Sequence, residues 1–118
     1  MAKTITKTIG QPIDIDIFIR ASNVTQPLEV DISAGIVSKR NPNIYTSGAT
    51  KLKVDKDGDY KVRIRLDTSK CTLEGGYDLK MFVIGYGKTL AERTEYGVVH
   101  LYKASSLASF QTSNYELY

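Results

Sequence analysis

Alternation of apolar and polar side chains with a period of two is the feature that most constrains this fold. It is clearest in residues 12–20, PIDIDIFIR, where isoleucine occupies every second position from 13 to 19. A strand places those isoleucines on one face and Asp14, Asp16 and Arg20 on the other, whereas a helix would scatter them around its circumference. The segment therefore predicts a β-strand with one face on a core and the other in solvent.

Residues that favour strands recur along the rest of the chain. Ile, Val and Thr together supply 30 of the 118 residues, and Tyr supplies another 8. Further strands are predicted over residues 2–9 (as an edge strand), 28–32, 35–40, 51–54, 60–66, 77–84 and 95–103. Short strands about ten residues apart, with no long helix, predict an all-β fold, an antiparallel two-sheet β-sandwich of seven to eight strands. The sandwich is expected over residues 1–103, with residues 104–118 as a C-terminal arm.

The segments between the predicted strands are rich in turn residues. Residues 21–27, 41–48 and 85–93 predict loops, and residues 68–76 predict a crossing segment. The strongest turn signal is Asp57-Gly58, because this pair suits the positive φ angles of a tight hairpin turn. It predicts that the strands 51–54 and 60–66 form a hairpin.

Composition excludes several classes of function. The chain has 16 Lys and Arg against 13 Asp and Glu, one His and one Cys, so neither an internal disulfide nor a Cys-based zinc site is possible within it. His100 and Cys71 are single residues that favour structural roles over catalysis, so we expect no enzyme activity, no cofactor and no metal. No apolar run approaches the ~20 residues of a membrane span, and the first residues do not read as a secretory signal. We therefore expect cytoplasmic synthesis and no membrane partner.

Three local patterns invite ligand-binding interpretations, each with a simpler alternative. Asp55, Asp57 and Asp59 lack the EF-hand spacing, so a solvated turn is favoured over calcium. Residues 87–89 (GKT) lack the first Gly of a phosphate-binding loop, which favours a plain bend. The basic stripe of Lys61, Arg63 and Arg65 has no aromatic residue on its own face, so ion pairing or solvation is favoured over nucleic acid. The acidic residues 14 and 16 lie on a flat face without the cleft that glycoside hydrolysis requires.

Aromatic residues outside the predicted core are the remaining candidates for recognition. The arm carries the candidate protein-binding residues, which are Leu107, Phe110, Tyr115, Leu117 and Tyr118. Aromatic side chains are enriched where proteins meet, so the arm is expected to pack on a neighbouring subunit, although a frayed terminus is the simpler alternative. The edge strand 2–9 is a second candidate, since a free edge can extend a partner's sheet. An alternative function for the chain is that of a carbohydrate-binding or adhesin-type module, in which Tyr45, Tyr86 and Tyr96 would stack on the sugar rings of a host glycan.

The segment 73–79 (LEGGYDL) resembles the tyrosine corner of immunoglobulin-like sandwiches. Tyr77 follows a glycine turn and comes two residues before Leu79, which stands where antibody domains have their second Cys. The disulfide and its Trp partner are absent, so the resemblance is to the broad immunoglobulin-like architecture.

The order of motifs along the chain resembles small immunoglobulin-like domains of tailed-bacteriophage virions, such as the attachment domains of baseplate and fibre proteins. The matching features are Gly10-Gln-Pro before an alternating strand, 28–35 (LEVDISAG), an Asn-Pro turn at 41–42, Asp57-Gly58, and Gly76-Tyr77 opening a late strand. The resemblance implies a non-enzymatic virion structural protein: a capsid decoration or head-fibre base, or a small tail or baseplate component. Its implied partners are other virion proteins and copies of itself, within a virion assembled in the host cytoplasm.

Overall fold

The alternating segments fold into seven β-strands in the computed structural model, which describes residues 3–118 and, for 106 and 107, the backbone alone. The elements are β1 (Ile5–Thr8), β2 (Ile13–Ala21), β3 (Leu28–Ser38), β4 (Tyr45–Val54), β5 (Gly58–Leu66), β6 (Gly75–Gly85), β7 (Lys88–Tyr102) and one helical turn, α1 (Ala104–Leu107). The predicted edge strand 2–9 corresponds to β1, and Ala2 lies outside the described residues.

The strands form two sheets, which confirms the predicted all-β sandwich. One sheet has five strands in the order β1-β7-β6-β3-β4, and the other pairs β2 with β5. Every pairing is antiparallel, as predicted, except that β1 runs parallel to β7, with Ile5 opposite Val99. Inward-facing residues of both sheets build the core; its largest fully buried side chains are Tyr77, Ile32, Ile36, Leu66, Leu101, Thr68 and Cys71.

The predicted hairpin around Asp57-Gly58 is wrong. β4 pairs with β3, whereas β5 crosses to the other sheet and pairs with β2. The crossing lets Ile64 and Leu66 cover the inner face of the five-stranded sheet, and Gly48 permits the close approach of β4 to β5. A Cβ at Gly48 would lie 3.0 Å from Cγ2 of Ile64. Burial of an apolar face across the core therefore overrides the local turn signal.

Three predicted boundaries also differ from the structure. Residues 28–38 form the single strand β3 in place of the predicted strands 28–32 and 35–40, because alternate residues from Val30 to Ser38 are all buried and the small residues between them do not interrupt that pattern. The predicted loop 41–48 is shorter, since β4 begins at Tyr45. The predicted loop 85–93 is a tight turn at Tyr86-Gly87, after which β7 starts at Lys88.

Two bulges interrupt the long β6–β7 hairpin. The pairing shifts between Tyr77 and Leu79, where Asp78 faces the stretch around Gly97, and again next to Ile84. At the first bulge the Asp78 carboxylate accepts a hydrogen bond from the Gly97 amide at 2.8 Å and pairs with Lys39 at 3.0 Å. The Gly97 amide, which the bulge leaves without a backbone partner across the strand pair, thus donates to the Asp78 carboxylate instead. Among the described residues, no helix has the length and apolar character that crossing a membrane requires.

Candidate binding surfaces

The C-terminal arm projects from the sandwich with its large side chains in solvent. Phe110, Tyr115 and Leu117 are 91%, 81% and 87% exposed, and Tyr118 is fully exposed; the side chain of Leu107 lies outside the described residues. The hydrogen bonds given for the arm are local, such as the Tyr115 amide to Asn114 Oδ1 at 2.8 Å. The described chain measures 84 × 26 × 23 Å, an elongation that an extended arm accounts for. Four large apolar or aromatic residues therefore lie outside the core with nothing covering them in the described chain.

An apolar groove lies between β2 and the β6–β7 hairpin. It has a volume of about 430 Å³, and its apolar lining includes Ile15, Ile19, Leu79, Met81 and Val83. These side chains alternate toward the interior, yet each is only half-buried, whereas Ile13 and Ile17 on the same face of β2 are buried. The two-stranded sheet does not extend far enough to seal this side of the core.

The groove continues toward the turn of the β6–β7 hairpin. A second cleft of about 390 Å³ shares Ile19, Val83 and Ala91 with the first and reaches Tyr86 and Leu90. The two clefts together form a continuous channel alongside β2. We call this channel the β2–β7 groove.

Unpaired strand edges flank the β2–β7 groove. β2 pairs only with β5, so its second edge is free in the described structure. β1 pairs with β7 only over residues 99–102, which leaves the outer edge of 88–97 without a neighbouring strand. Free backbone donors and acceptors on a strand edge are a template for an added strand.

The outer face of the β2–β5 sheet carries a ladder of ion pairs. Arg65 donates two hydrogen bonds to Asp14 at 2.8 and 3.1 Å, and Arg63 donates two to Asp16 at 2.7 and 3.1 Å. These hydrogen bonds hold the pKa values of both aspartates below their ordinary value. The predicted cross-strand ion pairing is confirmed, and it occupies two of the three cations in the basic stripe. Phe18, 78% exposed, stands opposite Lys61 in the same ladder.

The predicted aspartate cluster at 55–59 is divided between structural contacts. Asp57 accepts a hydrogen bond from the Val24 amide at 2.7 Å, and Asp59 pairs with Arg20 at 2.9 Å. No group of three or more potential metal ligands occurs within residues 3–118, as far as their side chains are described. The GKT segment at 87–89 spans the second residue of the tight turn between β6 and β7 and the first two residues of β7.

The three tyrosines of the predicted glycan site lie in different surroundings. Tyr45 lines a shallow depression with Asn43 and Lys70. Tyr86 lies at the far end of the β2–β7 groove. Tyr96 lies at the first bulge, with Lys39 Nζ 5.7 Å from its ring centroid. All three rings are more than half exposed, but the described clefts do not bring them together.

The predicted tyrosine corner has the hydrogen bond that defines it. Tyr77 is fully buried, and its hydroxyl donates to the Leu73 carbonyl at 2.6 Å. Burial raises the pKa of Tyr77 to about 12. Cys71, also fully buried, has its thiol pKa raised by burial as well, which disfavours a nucleophilic thiolate.

Sequence analysis did not predict the β2–β7 groove. Alternation predicts that Ile15, Ile19, Leu79, Met81 and Val83 point inward, but not that the facing sheet stops short of covering them. No protein-family model matches the chain, and neither does any curated protein or solved structure.

Proposed function

We propose that this chain is a non-enzymatic structural subunit of a tailed-bacteriophage virion, a capsid decoration or head-fibre base or a small tail or baseplate component. It binds neighbouring virion subunits. The observation that carries the proposal is the arm, which presents Phe110, Tyr115, Leu117 and Tyr118 to solvent.

An arm with this composition favours association with another protein. Each aromatic residue buries roughly 150–250 Å² when it is covered, and at ~25 cal/mol per Å² this is a large part of an interface's energy. Aromatic residues concentrate in interface cores and supply most binding hot spots. Three such side chains, together with Leu117, on one short segment therefore suit an arm that docks on a neighbour.

The strand arrangement supports an immunoglobulin-like assignment for the sandwich. The order β7-β6-β3-β4 facing β2-β5 corresponds to strands G, F, C and C′ facing B and E of immunoglobulin-like domains, with β1 beside the last strand. The Tyr77 hydrogen bond supports the same assignment, since it is the contact made by a tyrosine corner. Together with the phage-like motif order of the sequence, these features favour a virion part.

The surroundings of the reactive side chains support a non-enzymatic role. The paired carboxylates Asp14 and Asp16 have lowered pKa values and are committed to arginines, so neither suits the part of a proton donor near neutral pH. Cys71 is buried with a raised pKa.

The proposal is tested by asking whether the chain is a stoichiometric part of assembled particles. Virions are purified on density gradients from cells in which the genome encoding this chain replicates, and mass spectrometry counts its copies per particle. We expect a fixed copy number, and loss of the chain from particles when Phe110→Ser, Tyr115→Ser and Leu117→Ser are combined.

Tyr45→Ser is the matched control, because it removes an exposed aromatic ring outside the arm. We expect it to be incorporated as the wild-type chain is. Absence of the wild-type chain from purified particles contradicts the proposal. Saturable binding of the purified chain to a glycan array, lost on replacing Tyr45, Tyr86 or Tyr96, would support the glycan alternative instead.

A further inference from the structure

We infer that the β2–β7 groove is the docking site for the arm of a second copy of this chain, which enters as an added β-strand. The inference rests on the proposed function in one respect, that the arm is a subunit-binding element. It adds the identity of the partner and the surface on which the arm docks.

The β2–β7 groove is an incompletely covered part of the core. Ile15 and Ile19 of β2 and Leu79, Met81 and Val83 of β6 follow the inward alternation of their strands but remain half-buried. A strand added to the free edge of β2 would extend the smaller sheet over these side chains. The edge supplies backbone hydrogen bonds and the groove supplies apolar pockets for alternate side chains, which are the two components of strand addition.

The arm has the length and the pattern that such a strand requires. Residues 108–118 belong to no helix or strand, and 11 residues at ~3.3 Å each span about 36 Å when fully extended, against about 30 Å for the nine residues of β2. Tyr115 and Leu117 are two positions apart and so point to the same face of an extended chain. They therefore suit adjacent pockets along the groove.

The charges of the arm and the groove are compatible. Of the five charged residues lining the larger cleft, Asp16, Arg20, Arg93 and Glu95 are in ion pairs. Within residues 108–118, Glu116 is the only charged side chain. Docking therefore places a segment with one charged side chain in a cleft where four of the five charged side chains are already paired, which keeps the desolvation cost low.

The arm is directed away from the groove of its own chain. It follows β7, which ends at Tyr102, whereas the groove lies along residues 91–95 near the beginning of that strand. Between the two, β1 occupies the edge of β7 at residues 99–102. To reach its own groove the arm would have to reverse direction and pass β1. A second copy meets neither obstacle.

The surface area that docking would bury is large enough for a stable assembly. Covering three aromatic residues removes roughly 450–750 Å² of arm surface, and the groove loses a comparable amount. One docked arm therefore buries roughly 900–1,500 Å² in total, and reciprocal exchange between two copies doubles this to roughly 1,800–3,000 Å², at or above the 1,200–2,000 Å² typical of specific complexes. Such exchange closes as a dimer or as a ring.

The test measures the mass of the full chain in solution by analytical ultracentrifugation over a range of concentrations. We expect reversible association of the wild-type chain. Two variants should each weaken it on the order of 30-fold or more, the effect typical of a hot spot. One is Tyr115→Ser with Leu117→Ser in the arm; the other is Ala91→Arg, at an exposed position lining the groove. Tyr45→Ser, outside both surfaces, should associate like the wild type.

Mixing the two defective variants makes the test specific for arm-to-groove contact. The arm variant retains its groove and Ala91→Arg retains its arm, so the mixture should form a heterodimer that neither forms alone. In a second measurement, Leu117→Cys mixed with Ala91→Cys should give a disulfide-linked heterodimer on oxidation. Cys71 does not interfere because it is fully buried.

Several outcomes overturn the inference. These are a wild-type chain that stays monomeric, variants that associate like the wild type, or an intramolecular disulfide when Leu117→Cys and Ala91→Cys are combined in one chain. A monomeric chain that is still found in virions overturns the inference and leaves the proposed function intact. A chain that self-associates but is absent from virions overturns the proposed function and leaves the inference intact.

Discussion

A single buried hydroxyl, that of Tyr77, ties the segment before β6 to the core. The ring is fully buried, and its hydroxyl donates to the Leu73 carbonyl four residues upstream. Tyr60 makes the corresponding contact at the surface, where its hydroxyl donates to the Lys56 carbonyl at 2.7 Å. The chain thus contains two tyrosines with the same local hydrogen bond, Tyr77 fully buried and Tyr60 half-buried with its hydroxyl at the surface.

Replacing Tyr77 with Phe should destabilise the fold because it leaves the partly buried Leu73 carbonyl without its donor. A lost buried partner costs about 1–3 kcal/mol, whereas the surface hydrogen bond of Tyr60 is worth under about 1 kcal/mol. Urea unfolding at neutral pH is therefore expected to rank wild type, Tyr60→Phe and Tyr77→Phe in decreasing order of stability. Equal losses for the two variants would contradict the importance of burial at Tyr77.

The raised pKa of Tyr77 predicts a loss of stability in alkali. Its folded pKa of about 12 exceeds the ordinary value near 10, so the folded state keeps this proton where the unfolded state has released it. This contribution is complete below pH 10 and is lost as the pH rises from 10 through 12. The wild-type chain should lose stability over that range more steeply than Tyr77→Phe, which has no proton to release there. Parallel pH profiles of the two chains would exclude this titration.

At the scale of elements, the turn between β6 and β7 is a strained one. Tyr86 and Gly87 have φ angles of 54° and 71°, and Gly85 pairs with Lys88 across them, as in a type I′ turn. Such a turn favours Asn-Gly, and a side chain such as Tyr in the left-handed region costs roughly 1–2 kcal/mol.

Tyr86→Asn should therefore stabilise the chain, by about 0.5–1 kcal/mol, since Asn tolerates the left-handed region better. Gly87→Ala should destabilise it by about 1 kcal/mol for the converse reason. Gly76→Ala is the control, because Gly76 lacks a positive φ, and an added Cβ would lie 3.4 Å from the flexible Lys39 side chain and no closer than 3.8 Å to the His100 ring. Chemical denaturation measures the free energy of unfolding of the three variants. A lower stability for Tyr86→Asn than for the wild type would argue against this turn type.

Sequence analysis is most successful for this chain where one strand face is uniformly apolar. Residues 13–19 and 60–66 alternate as expected, and the charges on their outer faces pair across the β2–β5 ladder. It fails where the packing of the whole core determines which strand pairs with which. Asp57-Gly58 favours a local hairpin, but β5 buries its apolar face only by crossing to the opposite sheet. Residues 88–93 show no alternation of apolar and polar side chains because all of them are exposed. They form part of a strand because their backbone pairs with β6.

The whole molecule consists of a sandwich and an arm that share few interactions. The buried core extends no further along the described chain than Leu101, and the hydrogen bonds given for the arm connect it only to itself. The predicted division at 103–104 remains a prediction, which the truncation described below tests. The β2–β7 groove, by contrast, cannot be predicted from local sequence, because it results from a missing neighbour strand.

Removing residues 104–118 should leave the stability of the isolated subunit unchanged, since none of the arm side chains that the structure describes belongs to the core. The unfolding midpoint of the full chain should rise with protein concentration if copies associate, because binding to the folded state stabilises it by mass action. The midpoint of the 1–103 chain should be independent of concentration and equal that of the full chain at high dilution. Urea titrations at several concentrations measure both midpoints. A truncated chain that is less stable than the diluted full chain would show that the arm belongs to the folded unit, and would remove the reason to treat it as free to dock on a partner.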